Sequence, residues 1–168
     1  MISTKAIGLA TILALGTIPG AASATTVLTF DSHAAMGNTP GAGVPLAARL
    51  STDYLLSNGV SFSSGGGFAA VVDHVPNCAP CTPTPPNILG GTNASGALDY
   101  SAAITATFFL PSNTSQMATT NFVRVLGDQF PLGRGTLTLE AYGVLGNLLA
   151  STSLADVGPQ GTVLDLNI

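Results

Sequence analysis

The chain has 168 residues, with four Lys+Arg against eight Asp+Glu, a formal charge of −4, 7% charged residues and 46% hydrophobic ones. An ordinary globular chain carries about 25% charge, and so few cations exclude a nucleic-acid binder, which needs Lys and Arg to displace phosphate counterions, and a polybasic membrane-surface module. Disorder is excluded as well, because disordered chains are poor in apolar residues and rich in charge.

Residues 1–24 read as a secretory signal peptide. Lys5 is the positive n-region, Ala6 to Ile18 the apolar h-region, Pro19-Gly20 a helix breaker and Ala22-Ser23-Ala24 an A-x-A cleavage site. The apolar run falls short of the ~20 residues that span a bilayer, and no later run is long enough to serve as a transmembrane anchor. Cleavage after Ala24 leaves residues 25–168 as one domain. Four basic residues less Lys5 then leave three arginines against eight acids, a net −5. Lys5 is the sole lysine, so Schiff-base chemistry and a phosphate-cradling P-loop lysine are excluded from that domain.

Beyond the leader the dominant pattern alternates with a period of two. Thr26 to Phe30 is the first predicted strand. A Gly/Ala/Pro-containing excursion over 32–58 follows, with a helical turn or two expected between Pro45 and Leu56. Gly59 to Ser63 and Phe68 to Val72 are short strands. Residues 73–97 form a second excursion, whose five prolines between Pro76 and Pro86 forbid a central strand for want of ladder donors. Ile104 to Leu110, Phe122 to Leu126, Thr136 to Tyr142, Asn147 to Ser153 and Thr162 to Ile168 complete the set. About eight short strands, long Pro/Gly-rich loops and almost no helix predict an all-β fold, an antiparallel two-sheet β-sandwich or jelly roll.

Candidate chemistry is sparse. Cys78-Ala79-Pro80-Cys81 in an oxidising compartment is expected as a local disulfide. A redox role is the alternative, although the VPN and TPTPP flanks deny it the helix that lowers a thiol pKa. With Asp73 and His74 the same cysteines form H-x3-C-x2-C, a zinc-like set. Nucleophilic catalysis has only His33 and His74 to draw on and no G-x-S-x-G elbow. Glu140 lies on a sheet face with no second acid placed opposite it. These absences predict a protein that is not an enzyme. For ligand binding the chain offers no Trp and three Tyr. Tyr142 shares the polar phase of its strand with Glu140, and Tyr100 precedes a strand at an expected rim, so Tyr100, Glu140 and Tyr142 are the ligand-binding candidates, through an aromatic face that stacks on a sugar ring.

Several segments resemble a family of secreted bacterial proteins, the PEP-CTERM (exosortase-sorted) extracellular family. They are LTFD (Leu28 to Asp31), GVSFSS (Gly59 to Ser64), PNILGG (Pro86 to Gly91), TATFFLP (Thr105 to Pro111) and LTLEAYGVLGNLLAS (Leu137 to Ser151). The resemblance implies a carbohydrate-binding-module-like jelly roll at the cell surface or in the exopolysaccharide matrix. It also implies a structural calcium near the first strand, which puts Asp31 beside His74 among the metal candidates; no other cofactor is expected. The Pro-Glu-Pro sorting tail and the closing strand of that family are absent from these 168 residues, an absence that leaves the first strand without its usual neighbour. The resulting expectation is a non-catalytic secreted or cell-surface domain that binds or organises extracellular polysaccharide. The alternatives are a purely structural surface or matrix protein, and a metal-dependent exported hydrolase centred on Asp73, His74, Cys78 and Cys81.

Overall fold

A computed structural model of the chain describes residues 2–5, 11–15, 25–73, 87–127, 136–155 and 162–168. The described part is mostly β. In chain order the strands are β1 (Ile2–Lys5), β2 (Thr11–Leu15), β3 (Thr25–Val27), β4 (Arg49–Leu50), β5 (Val60–Ser63), β6 (Ala69–Asp73) and β7 (Asn87–Gly90). There follow β8 (Ile104–Leu110), β9 (Asn113–Met117), β10 (Phe122–Gly127), β11 (Thr136–Tyr142), β12 (Leu148–Ala155) and β13 (Thr162–Asn167). Among the described residues the helical content is one 3-10 turn, Leu46–Ala48, and one short helix, α1 (Leu55–Asn58). None of these helices is long and apolar enough to cross a membrane.

The strands form three antiparallel sheets. The largest runs β12-β11-β1-β8-β5, with β9 also paired to β8; the second runs β13-β10-β2-β3; the third is β4-β6-β7. Strands β1 and β2 fall inside the stretch read as a leader. There β1 lies between β11 and β8, and β2 between β10 and β3. The strand that follows this stretch, β3, pairs with β2, Val27 opposite Leu13, so its partner comes from within residues 1–24. It is also shorter than the expected Thr26 to Phe30, because 28–30 leave the ladder while still sending Leu28 and Phe30 into the core.

Alternation explains the main core. Val60 and Phe62, Ile104, Ala106 and Phe108, Val123 and Val125, Leu137, Leu139 and Ala141, and Leu164 and Leu166 are buried in one cluster with Leu28 and Phe30. Phe30 meets Tyr54 and Phe62 edge to face at centroid separations of 5.8 Å, within the favoured range for such rings. Gly59 closes α1 at φ 68°, and a side chain there would strike the Phe109 carbonyl, so the turn into β5 requires glycine.

The short sheet is buried on both faces, which is why β6 reads as an unbroken apolar run. Ala69, Val71 and Leu89 join the main core, while Ala70, Val72 and Ile88 join a second cluster with Met36, Val44, Ala48, Leu98 and Tyr100. The excursion over 32–58 is thus a cover for this sheet. The excursion over 73–97 also contains a strand, β7, beyond its prolines. Buried Thr92 fixes the junction, donating to the Phe68 carbonyl at 2.6 Å and receiving the Gly66 amide at 3.1 Å.

Candidate functional site

Strand β11 sends Leu137, Leu139 and Ala141 inward, so Glu140 and Tyr142 share the outer face, as their phase predicts. Both are half-buried. The Tyr142 hydroxyl donates to Glu140 Oε2 at 2.8 Å. This bond stabilises the neutral phenol and raises its pKa; desolvation and the Glu140 charge add to the shift.

Tyr142 also stands at the mouth of a cleft. In register, Ile2 lies opposite both Ala141 and Ala106, so Tyr142 on one side and Thr107 and Phe108 on the other fall just past the paired part of β1. A cleft of about 480 Å³ opens there, within the roughly 300–1,000 Å³ typical of small-ligand sites. Its first wall is the β11–β12 hairpin, through Tyr142, Gly143, Val144 and Leu149, and its second is Thr107, Phe108, Met117 and Ala118. Thr119, Thr120, Asn121 and Ile168 close the end. The Ile168 amide donates to the Asn121 carbonyl at 2.9 Å, and the Thr120 hydroxyl donates to the Phe122 carbonyl at 2.8 Å, which pins this end. Among the described residues no Lys, Arg, His, Asp or Glu lines the cleft. Its chemistry is therefore two aromatic rings and aliphatic walls with a few hydroxyls and one amide, suited to an uncharged ligand.

The other candidates lie elsewhere. Tyr100 is not at a rim; it is 5% exposed in the second core cluster, where its hydroxyl donates to Asn38 Oδ1 at 2.5 Å. Burial drives its pKa well above the ordinary tyrosine value. Local context suggested a rim before a strand; Tyr100 does lie in a turn, closed by the Ala102 amide on the Asp99 carbonyl at 3.1 Å, but its ring packs into the second core cluster with residues of β6 and β7. Asp31 is exposed in the turn after Phe30. Near it His33 Nε2 lies 3.3 Å from Asp53 Oδ1. Burial pushes the Asp53 carboxyl up, but hydrogen bonds from the Ser51 amide and His33 outweigh it and hold the value below the usual range. Among the described residues no three His, Cys, Asp or Glu side chains are grouped to hold a metal ion. Asp73 ends β6, whereas His74, Cys78 and Cys81 lie outside the described residues.

Of the candidates named from the sequence, Tyr142 lines the cleft and Glu140 does not, though it accepts the Tyr142 hydroxyl; the other lining residues were not named from the sequence. The alternation of β8 placed Thr107 on the polar phase, a usable signal. Residues 118–121 carry no periodicity, and only the fold brings them opposite the hairpin. No family model matches the chain, and no curated protein and no solved structure matches it either.

Proposed function

We propose that this is an exported, non-catalytic β-sandwich of the jelly-roll type that holds a neutral extracellular polysaccharide in the cleft beside Tyr142. The observation that carries the reading is the Tyr142 ring in an uncharged cleft. A pyranose ring offers an apolar face for an aromatic or aliphatic wall and hydroxyl groups for threonine and asparagine partners. Among the described residues the lining has no cation, which disfavours an anionic ligand, and no carboxylate, imidazole or thiol of its own, the Glu140 carboxylate being engaged by the Tyr142 hydroxyl, which favours binding over catalysis. The leader pattern of residues 1–24 supports export, and a core shared by strands of all three sheets supports stacked layers. The segments resembling the exosortase-sorted family point the same way, to the cell surface or the surrounding matrix.

The test is a calorimetric titration of the purified protein with a panel of neutral polysaccharides, repeated with Tyr142→Ala and Tyr142→Phe. Loss of the ring is expected to weaken binding roughly fivefold, as stacking worth about 1 kcal/mol requires. Tyr142→Phe is expected to stay within about threefold, since it keeps the ring and loses one modest hydrogen bond. Binding that survives Tyr142→Ala unchanged rejects the site. A structural matrix role is the second reading, favoured by the exposed apolar side chains of Val144, Leu145, Leu148, Leu149 and Leu154 on one hairpin.

A further inference from the structure

Strand β12 ends the largest sheet. It pairs with β11 along its length, and among the described residues no strand pairs with its other edge. Such an edge displays a row of backbone donors and acceptors, and proteins usually guard it with charge, proline, a bulge or brevity. Leu148–Ala155, LLASTSLA, is eight residues long and has neither charge nor proline. The one irregularity in its ladder lies near the hairpin end, between Ala141 and Tyr142 of β11.

Residues 149–155 of this segment are self-complementary in side-chain size about Thr152. Ser151 mirrors Ser153, Ala150 mirrors Leu154, and Leu149 mirrors Ala155. We infer that β12 pairs antiparallel with β12 of a second copy of this chain across a two-fold axis at Thr152, joining two sheets into one. In that register Ser151 faces Ser153, Leu149 faces Ala155 and Leu154 faces Ala150, so large meets small at those apolar pairs, and Leu148 falls outside the mirrored residues 149–155. The core side gains most. Ala150 packs on the main core, while Leu154, which shares its face, is 45% exposed because the sheet ends there. Across the axis Leu154 of one copy comes beside Ala150 of the other and is covered. A two-fold contact needs a self-complementary patch, and this strand is one. The chain carries −4 overall, yet no charge lies on the strand itself to oppose a like-charged copy. An interface built on one strand is at the small end of the range, so the association is expected in the micromolar regime.

The experiment is sedimentation over a concentration series, on the whole protein and on two double variants at the exposed serines. In the two-fold register residue 151 of one copy faces residue 153 of the other. Ser151→Lys with Ser153→Lys sets like charges opposite each other twice, whereas Ser151→Lys with Ser153→Glu sets opposite charges there. The native protein is expected to show a monomer–dimer equilibrium. The Lys/Lys variant is expected to dissociate at least tenfold more readily, and the Lys/Glu variant to dimerise as tightly as the native chain or more so. The Lys/Glu variant, checked by circular dichroism, shows that charge on the strand is compatible with folding. A native protein that stays monomeric up to about 1 mM overturns the inference. So does open-ended assembly, a Lys/Lys variant that dimerises unchanged, or a Lys/Glu variant that dissociates like Lys/Lys.

Discussion

Tyr142 and Tyr100 are the same side chain in opposite settings, and the difference sets how each responds to alkali. Tyr142 faces the cleft and is held neutral first by its bond to Glu140. Tyr100 is buried, and desolvation alone raises its pKa; Tyr54, packed on Phe30, is raised chiefly by burial too. For an acid whose folded value exceeds its unfolded value near 10.0, the stabilisation is complete below that value and is lost as pH rises towards the folded one. Stability is therefore expected to decline above about pH 10. Tyrosinate absorbance followed together with near-ultraviolet circular dichroism checks this: the Tyr100 fraction of the signal is expected only as tertiary structure disappears. All three tyrosines titrating together near the ordinary value, with the fold intact, would contradict the placement of Tyr100. The alternation in 136–142 made the position of Tyr142 legible. Nothing local distinguished Tyr100, because its burial depends on the distant strands β6 and β7.

At the scale of elements, legibility followed the clarity of the two-residue period. Strand β8 spans the expected Ile104–Leu110, and β11 the expected Thr136–Tyr142, since each has one face on the core and one outside it. Strand β9, NTSQM, is exposed or half-buried throughout and is held by its ladder to β8, so its sequence carries no apolar signal. Strands β1 and β2 were hidden for other reasons: the apolar β2, TILAL, satisfies a leader and a strand equally well, and β1, ISTK, carries no apolar run. Their pairing has a measurable consequence. Cleavage after Ala24 withdraws β1 from between β8 and β11 and β2 from between β10 and β3, together with their ladder hydrogen bonds, each worth about 0.5–1.5 kcal/mol. The urea midpoint of residues 25–168 is expected to lie below that of the full chain. Equal midpoints would mean that the sheets keep their stability without those two strands.

For the molecule as a whole, the composition and strand pattern made the mostly-β architecture legible, but not its division into three sheets. That division arises where β6 is buried on both faces: the excursion over 32–58 covers one side and the main core the other. The cleft is equally a property of the assembled fold, since Tyr142, Thr107 and Asn121 come from separate strands and loops and meet at the end of β1. The central claim, that this uncharged cleft is where a neutral sugar binds, is tested most directly by mapping amide chemical shifts of the purified protein during titration with a neutral oligosaccharide. Shifts concentrated at Thr107, Thr119 to Asn121, Tyr142 and Leu149 are the expected result. A saturable response centred elsewhere, such as the turn around Asp31 and His33, or no response to any neutral sugar, would contradict it.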